Sequence, residues 1–239
     1  MAPLNNKHTI PDLFSVLYQT KHSQMDTKLL IALTVITMTL FSSWIAIQSS
    51  PINKSKAASE FMDGDIIFQS SMSGQSAAIQ VATNSKYSHC GIVFLEEGKP
   101  FVLEAVQPVK LTPLKKWITH GDDHHFVVKR LVDREGELSK SETDKMKDLG
   151  DAWLGKNYDI TFEWDDSRIY CSELVWKLYE RAAGIELCEL QELRDFDLSS
   201  TIVSRIVEER YGSDIPWDEK VVSPGALFDC PLLEIVFEK

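Results

Sequence analysis

Two short β-rich runs around one polar turn constrain this chain more than anything else in it. The runs are His89-Cys90-Gly91-Ile92-Val93-Phe94-Leu95 and Phe101-Val102-Leu103-Glu104-Ala105-Val106, and Glu96-Glu97-Gly98-Lys99 lies between them. Their β-branched and aromatic residues suit strands, and a Gly-containing turn of this length suits a hairpin. Centring the turn on Glu97-Gly98 sets Gly91 opposite Glu104. Side chains alternate along a strand, so His89, Gly91 and Glu104 share a face. Glu104 is then the diagonal neighbour of His89, and Gly91 puts no side chain between them. A carboxylate placed there can fix the tautomer of the imidazole. The plainer reading leaves Glu104 an ordinary acid on a solvated face. Cys90 points to the opposite face from His89 and reads as packing.

A second segment, Ile169-Tyr170-Cys171-Ser172-Glu173-Leu174-Val175, turns from extended chain into an amphipathic helix. Leu174, Val175, Leu178 and Ala182 form its apolar stripe, Cys171 lies on that inward face, and Gly184 is a stop signal. Unpaired N–H groups and the positive end of the helix dipole favour a thiolate at such a position. A free cysteine also fills core as a small hydrophobe. Joined to the hairpin, however, Cys171, His89 and Glu104 supply a nucleophile, its base and the residue that orients the base.

The rest of the domain reads as mixed strands and helices. A turn at Asp63-Gly64-Asp65 leads into a strand, Ala77 to Ala82 into a short helix, and Leu111 to Ile118 into a Pro-initiated helix or turn. Phe126 to Val132 is β-branched, Leu138 to Leu154 is helical in spacing, and Tyr158 to Trp164 reads as a strand. Helix is expected at Ser199 to Tyr211 within an otherwise irregular end. Such a mixture indicates an α+β domain.

The front of the chain is different. Leu29 to Ile47 carries no charge over a length that suits a membrane anchor or an export signal. The expected organisation is a tail at 1–24 with Met25 as a candidate initiator, a signal or anchor at 25–48, a Ser/Lys-rich linker at 49–59 and a domain at 60–239. Net charge is +3 over residues 1–59 and −14 beyond, within a total of −11. A body this acidic argues against nucleic acid as partner. Four cysteines without a CxxC pair are not a disulfide framework.

The separated motifs Tyr-Ser-His-x-Gly-Ile (from Tyr87), Leu-Glu-Ala-Val-Gln-Pro-Val-Lys-Leu-Thr-Pro-Leu (from Leu103), Tyr-Asp-Ile-Thr-Phe-Glu-Trp (from Tyr158) and Arg-Ile-Tyr-Cys-Ser-Glu-Leu-Val-Trp-Lys (from Arg168) resemble the permuted papain-like cysteine hydrolases, the YaeF/YiiX-like branch of the NlpC-type peptidase superfamily. Asp195-Phe196-Asp197-Leu198-Ser199 and Val222-Ser223-Pro224 extend the resemblance from Gly64 to the carboxyl terminus. It implies a circularly permuted papain-like fold, an antiparallel sheet packed on helices with the nucleophile at a helix N-terminus. It also implies Cys171 as nucleophile, His89 as base and Glu104 as its orienter, in bacterial proteins that are often exported.

Further candidates are weaker. Tyr87 and Tyr170 flank the catalytic segments and could serve as oxyanion or cleft residues, although buried tyrosines commonly pack with a satisfied hydroxyl. Tyr158-Asp159 and Trp164-Asp165-Asp166 could line the cleft but read better as a cap. His120 to His125 lacks convergent ligand spacing and reads as a solvated loop. No metal and no cofactor is expected. The expected activity is a thiol amidase or peptidase on an amide, with cell-wall peptide as one substrate. A lipid-directed acyl hydrolase or acyltransferase, or a binding module with an idle triad, are the alternatives. Partners would be a small-molecule, peptide or lipid-amide substrate and, through the amino-terminal segment, a membrane. The location would be extracytoplasmic.

Overall fold

The structure is a computed structural model, and it describes residues 61–132 and 138–239. The tail, the apolar run Leu29 to Ile47 and the linker lie outside the described residues. Among the described residues no helix is long and apolar enough to cross a membrane.

A six-stranded antiparallel sheet organises the domain. Its strands are β1 (Ile66–Gln69), β2 (His89–Glu96), β3 (Lys99–Glu104), β4 (Lys110–Pro113), β5 (Val127–Leu131) and β8 (Leu233–Glu238), in the order β4-β3-β2-β1-β5-β8. A small second sheet pairs β6 (Gln191–Glu192) with β7 (Lys220–Val221). The central hairpin has the register deduced above. Glu96 pairs with Lys99 and Ile92 with Leu103, around Glu97 and Gly98 at positive φ. Gly91 is required here, because a Cβ would stand 2.6 Å from Val102 and 2.7 Å from the Leu103 carbonyl.

Alternation along the strands divides the interior in two. Phe68, Cys90, Ile92 and Leu103 face one core, closed by α3 (Lys140–Asp151) and α4 (Cys171–Ala183). Ile67, Val93, Val102 and Val128 face the other, closed by Trp117 of α2 (Leu114–Ile118). Helix α3 starts on a reciprocal Ser139–Glu142 capping box. Helix α4 ends at Gly184 with φ 70°, the left-handed cap that glycine adopts without strain. Helices α1 (Ser76–Thr83), α5 (Thr201–Tyr211) and α6 (Pro224–Phe228) complete the described set.

Three sequence expectations change. Leu111 to Pro113 belongs to a strand, and only the residues after Pro113 are helical. The irregular carboxyl end contains β8, the edge strand beside β5. Tyr158 to Trp164 is not a strand: Tyr158 makes an isolated bridge to Ile169, and the chain then turns about the Asp159 carboxylate. That carboxylate is fully buried and accepts the Thr161 and Glu163 N–H groups at 2.9 and 2.6 Å. Phe162 follows at φ 53°, a conformation no extended strand contains.

Candidate active site

His89 opens β2, so its ring stands at the end of the sheet. Trp117 stacks on one side at 5.9 Å between ring centroids. The ring Nε2 donates to Glu104 Oε2 at 2.7 Å, across the gap that Gly91 leaves clear. Glu104 is buried, and its other oxygen accepts from Thr112 Oγ1 at 2.6 Å. Both lone-pair faces of the carboxylate are thereby committed, and the ring cannot rotate without losing a charge-assisted bond. Thr112, from a strand the sequence did not reveal, is the positioning contact that sequence reasoning missed.

With Nε2 held by Glu104, Nδ1 is the nitrogen left for Cys171, whose interaction with the ring helps to raise the His89 pKa. Cys171 is the first residue of α4 and is buried. Its thiol lies well below the usual cysteine range. The hydrogen bond from the Cys90 thiol is the largest cause; burial opposes it, and the His89 hydrogen bond and charge add to it. Burial works against protonation of His89, yet its bonds to Cys171 and Glu104 hold its pKa up at about 10. Burial pushes the Glu104 carboxyl up, but the His89 hydrogen bond outweighs it and lowers the group overall. Both shifts favour the thiolate–imidazolium form of the pair over two neutral side chains.

Cys90 packs as expected, fully buried and facing away from His89; that face is the one α4 covers, so Cys90 shares its core with Cys171.

The two tentative tyrosines diverge. Tyr170 precedes Cys171, and its hydroxyl accepts the Val222 N–H at 3.1 Å while the residue lines a pocket together with Cys171. Tyr87 packs on Phe68 and Phe228, and its hydroxyl is buried without a partner, so it is not a cleft residue. Tyr158, read from the sequence as a helix cap in preference to a cleft residue, lines the cleft. Its hydroxyl accepts from Gln75 Nε2 at 3.1 Å, and Arg210 in turn donates to Gln75 Oε1 at 2.6 Å. That order leaves the Tyr158 O–H free to donate. Burial and then the Cys171 charge raise its pKa far above the ordinary value, so it keeps its proton.

Two cavities meet at these residues. One, of about 110 Å³, is apolar: Ala78 and Ile79 of α1, Val203 and Ile206 of α5, Phe162, Phe196 and Cys171 line it. The other, of about 910 Å³, is a polar cleft lined by His89, Glu104, Ser71, Gln107, Asn157 and Arg168, with His120 at its edge. Tyr158 and Gln75 line both. Apart from His120, the histidine run 120–125 stays outside these cavities. Among the described residues no three His, Cys, Asp or Glu side chains converge as metal ligands.

A buried Cys–His–carboxylate cluster at the end of an antiparallel sheet, with histidine preceding cysteine in the chain, is the arrangement of a permuted papain-like hydrolase. The chain belongs to the family of permuted papain-like amidases of YaeF/YiiX type, C92, whose model matches residues 60–237. It is therefore a cysteine hydrolase of the amidase or peptidase kind. The uncharacterized protein YiiX of Escherichia coli K12 is 51% identical over 173 residues, which is 72% of this chain and 84% of that protein. A crystal structure titled as the metalloprotein yiiX from Escherichia coli O157:H7 superposes with a TM-score of 0.71 at 50% identity, covering 74% of this chain and 97% of that one.

Proposed function

We propose that Cys171, His89 and Glu104 are the working triad, and that the substrate is an amide with a small apolar acyl half and a polar amine half. The observation behind this reading is that Cys171 lines the apolar pocket while His89 lines the polar cleft. Cys171 attacks the carbonyl carbon, and His89 gives its proton to the nitrogen that leaves. The leaving amine must then lie on the histidine side, in the polar cleft, and the acyl group on the other. Tyr158, common to both spaces, and the N–H groups at the start of α4 are the donors for the oxyanion. Water then hydrolyses the thioester with His89 as base.

The apolar pocket is somewhat smaller than the roughly 150 Å³ cavity known to take benzene. A short acyl chain or an apolar amino-acid side chain fits that volume better than a long lipid tail. Cell-wall peptide remains a substrate for which the cleft polarity speaks but the pocket does not. The relative's description as a metalloprotein offers no step here, since the described residues contain no converging ligand set. From the uncharged run Leu29 to Ile47 alone, the domain is proposed to be delivered outside the cytoplasm, tethered or cleaved, and protease accessibility on intact cells tests that.

The substrate test is a panel of one polar amine, glutamine, carrying acetyl, butanoyl, hexanoyl or decanoyl groups. kcat/KM should climb from acetyl to hexanoyl and gain little at decanoyl. A preference for acetyl, or a continued climb to decanoyl, would sink the proposal.

A further inference from the structure

The hydrolytic cycle described above has no use for the thiol of Cys90. That residue is completely buried, it sits one position after the base, and it lies under α4 in the same core as the nucleophile, whose pKa it lowers. Strand geometry puts it there. Cys90 pairs with Phe68 across β1 and β2 and shares its face with Ile92 and Phe94, the face on which α4 lies. Cys171 is the first residue of that helix and belongs to the same buried core. All four cysteines in the chain are free thiols.

The remaining two differ in both respects that matter. Cys188 lies beyond α4 and Cys230 beyond α6, and neither is paired with the nucleophile. Burial pushes Cys188 up to about 12, and it raises Cys230 as well. Cys90 is also held well above the usual range, by burial first and then by the Cys171 charge. One thiolate, open to the apolar pocket, thus stands against one protonated thiol with no route to solvent.

We propose that Cys90 and Cys171 are an oxidation site, a dithiol that hydroperoxides convert to a reversible disulfide. In the first step the Cys171 sulfur attacks the distal oxygen of the hydroperoxide. An S–O bond forms, the O–O bond breaks, and the departing alkoxide takes the His89 proton and leaves as the alcohol. Cys171 is then a sulfenic acid. In the second step the Cys90 sulfur attacks the Cys171 sulfur, the S–O bond breaks, and the hydroxide leaves as water with the Cys90 proton. Two thiols are oxidised by two electrons, and one hydroperoxide is reduced to alcohol and water. A sulfenic acid with no thiol beside it proceeds to sulfinic acid, which reductants do not reverse. Cys90 therefore keeps the nucleophile on the recoverable side of that ladder, and the enzyme is off while the bond persists.

The test needs no substrate, so its failure and the failure of the amidase reading are separable. The full chain, reduced and freed of reductant, is treated with hydrogen peroxide at a small molar excess and digested with trypsin without reduction. Cleavage falls after Lys86, Lys110, Arg168 and Lys177, the Lys99 bond being protected by Pro100, so the two cysteines lie on different peptides. The expected result is a linked pair of those peptides, the loss of two hydrogens from the intact mass, and full recovery by dithiothreitol. In Cys90→Ala the intact mass should gain two oxygens at Cys171 instead, without recovery. Should that variant fold poorly, Cys90→Ser retains the shape of the side chain and is expected to behave as Cys90→Ala does. A wild-type protein that gains oxygens with no linked peptide, a link from Cys171 to Cys188 or Cys230, or full recovery in the Cys90 variants would each overturn the proposal.

Discussion

The two spaces on either side of Cys171 differ in what builds them. The polar cleft is walled by the sheet end and its connections: His89, Glu104 and Gln69 come from strands whose pairing fixes them, and Ser88 leads directly into β2. The apolar pocket is walled by separate pieces, α1, α5 and the loop carrying Phe162, clasped by few polar contacts. Arg210 reaches Gln75 and lies over the Phe162 ring at 5.2 Å, and the Tyr211 hydroxyl donates to the Thr161 carbonyl at 2.5 Å. Chemistry thus rests on the rigid side, where an error of an ångström is costly, and selection on the side whose packing can vary. Changes on the cleft side should cut turnover for every substrate. Changes on the pocket side should re-rank substrates.

The largest effect tests the rigid side. Cys171→Ala and His89→Ala should each lower kcat by about 10³-fold or more, since members of a triad act as a unit. Iodoacetamide should label Cys171 ahead of the other three cysteines at mildly acidic pH. The Cys171 pKa is lowered and that of His89 is raised, so the thiolate should persist to lower pH than at an ordinary cysteine. Labelling that begins only above the ordinary cysteine range would break the ion-pair assignment.

Next come the residues that position or assist. Tyr158→Phe should cost about 10²-fold in kcat if its hydroxyl donates to the oxyanion. Glu104→Gln should cost less than His89→Ala, because an amide oxygen still accepts the Nε2 proton. It gives up the charge that supports the imidazolium, so the pH profile should move toward a lower His89 pKa. An unchanged profile would make Glu104 a structural acid.

A change of selectivity without a large loss of rate would sharpen the comparison. Ala78 is buried on α1 against the apolar pocket. Ala78→Leu should lower the hexanoyl-to-acetyl ratio of kcat/KM about tenfold, the scale of a methylene or two in an apolar site. Equal loss for both acyl groups would deny that this pocket holds the acyl half.

How much of this was legible in the sequence follows the same division. The hairpin could be read to the residue because its determinants are local: alternation, a Gly-containing turn and a glycine where backbone must pass. The His89–Glu104 contact follows from register alone. The loop from Asn157 to Tyr170 could not be read, because distant groups shape it. The Tyr158 N–H goes to Gln107 Oε1, and the Trp164 N–H to Glu219 Oε1. Its aromatic and β-branched residues imitate a strand while the buried Asp159 carboxylate turns it. Cys90 shows a subtler limit. Alternation places it opposite His89, but which face the nucleophile helix covers is a tertiary fact. Strand β8 escaped notice because Glu234 and Glu238 mask an edge strand that has one partner.

The smallest expected effect concerns the seam between the two spaces. Glu173 is fully buried in the first turn of α4, where it accepts the Tyr170 N–H at 3.2 Å and pairs with Lys177 at 2.6 Å. Lys177 also donates to the Asp165 carbonyl and the Asp166 carboxylate, so this pair ties the loop bearing Tyr158 and Phe162 to the nucleophile helix. Burial raises the Glu173 pKa to about 7 against the pull of Lys177. The sign follows from proton count. Between the ordinary glutamate range and pH 7 the folded protein binds more protons at this site than the unfolded chain does. Its contribution therefore favours folding at the acid end of that window and is lost as pH rises through 7. Glu173→Gln, neutral throughout, should flatten that part of the stability curve, read as the difference in Tm between wild type and variant from pH 5 to 8. Because the seam supports both spaces, the same variant should lower turnover only slightly and by the same factor for acetyl and hexanoyl substrates. A selective loss of the hexanoyl substrate would move the seam to the pocket side and redraw the division on which the substrate orientation depends.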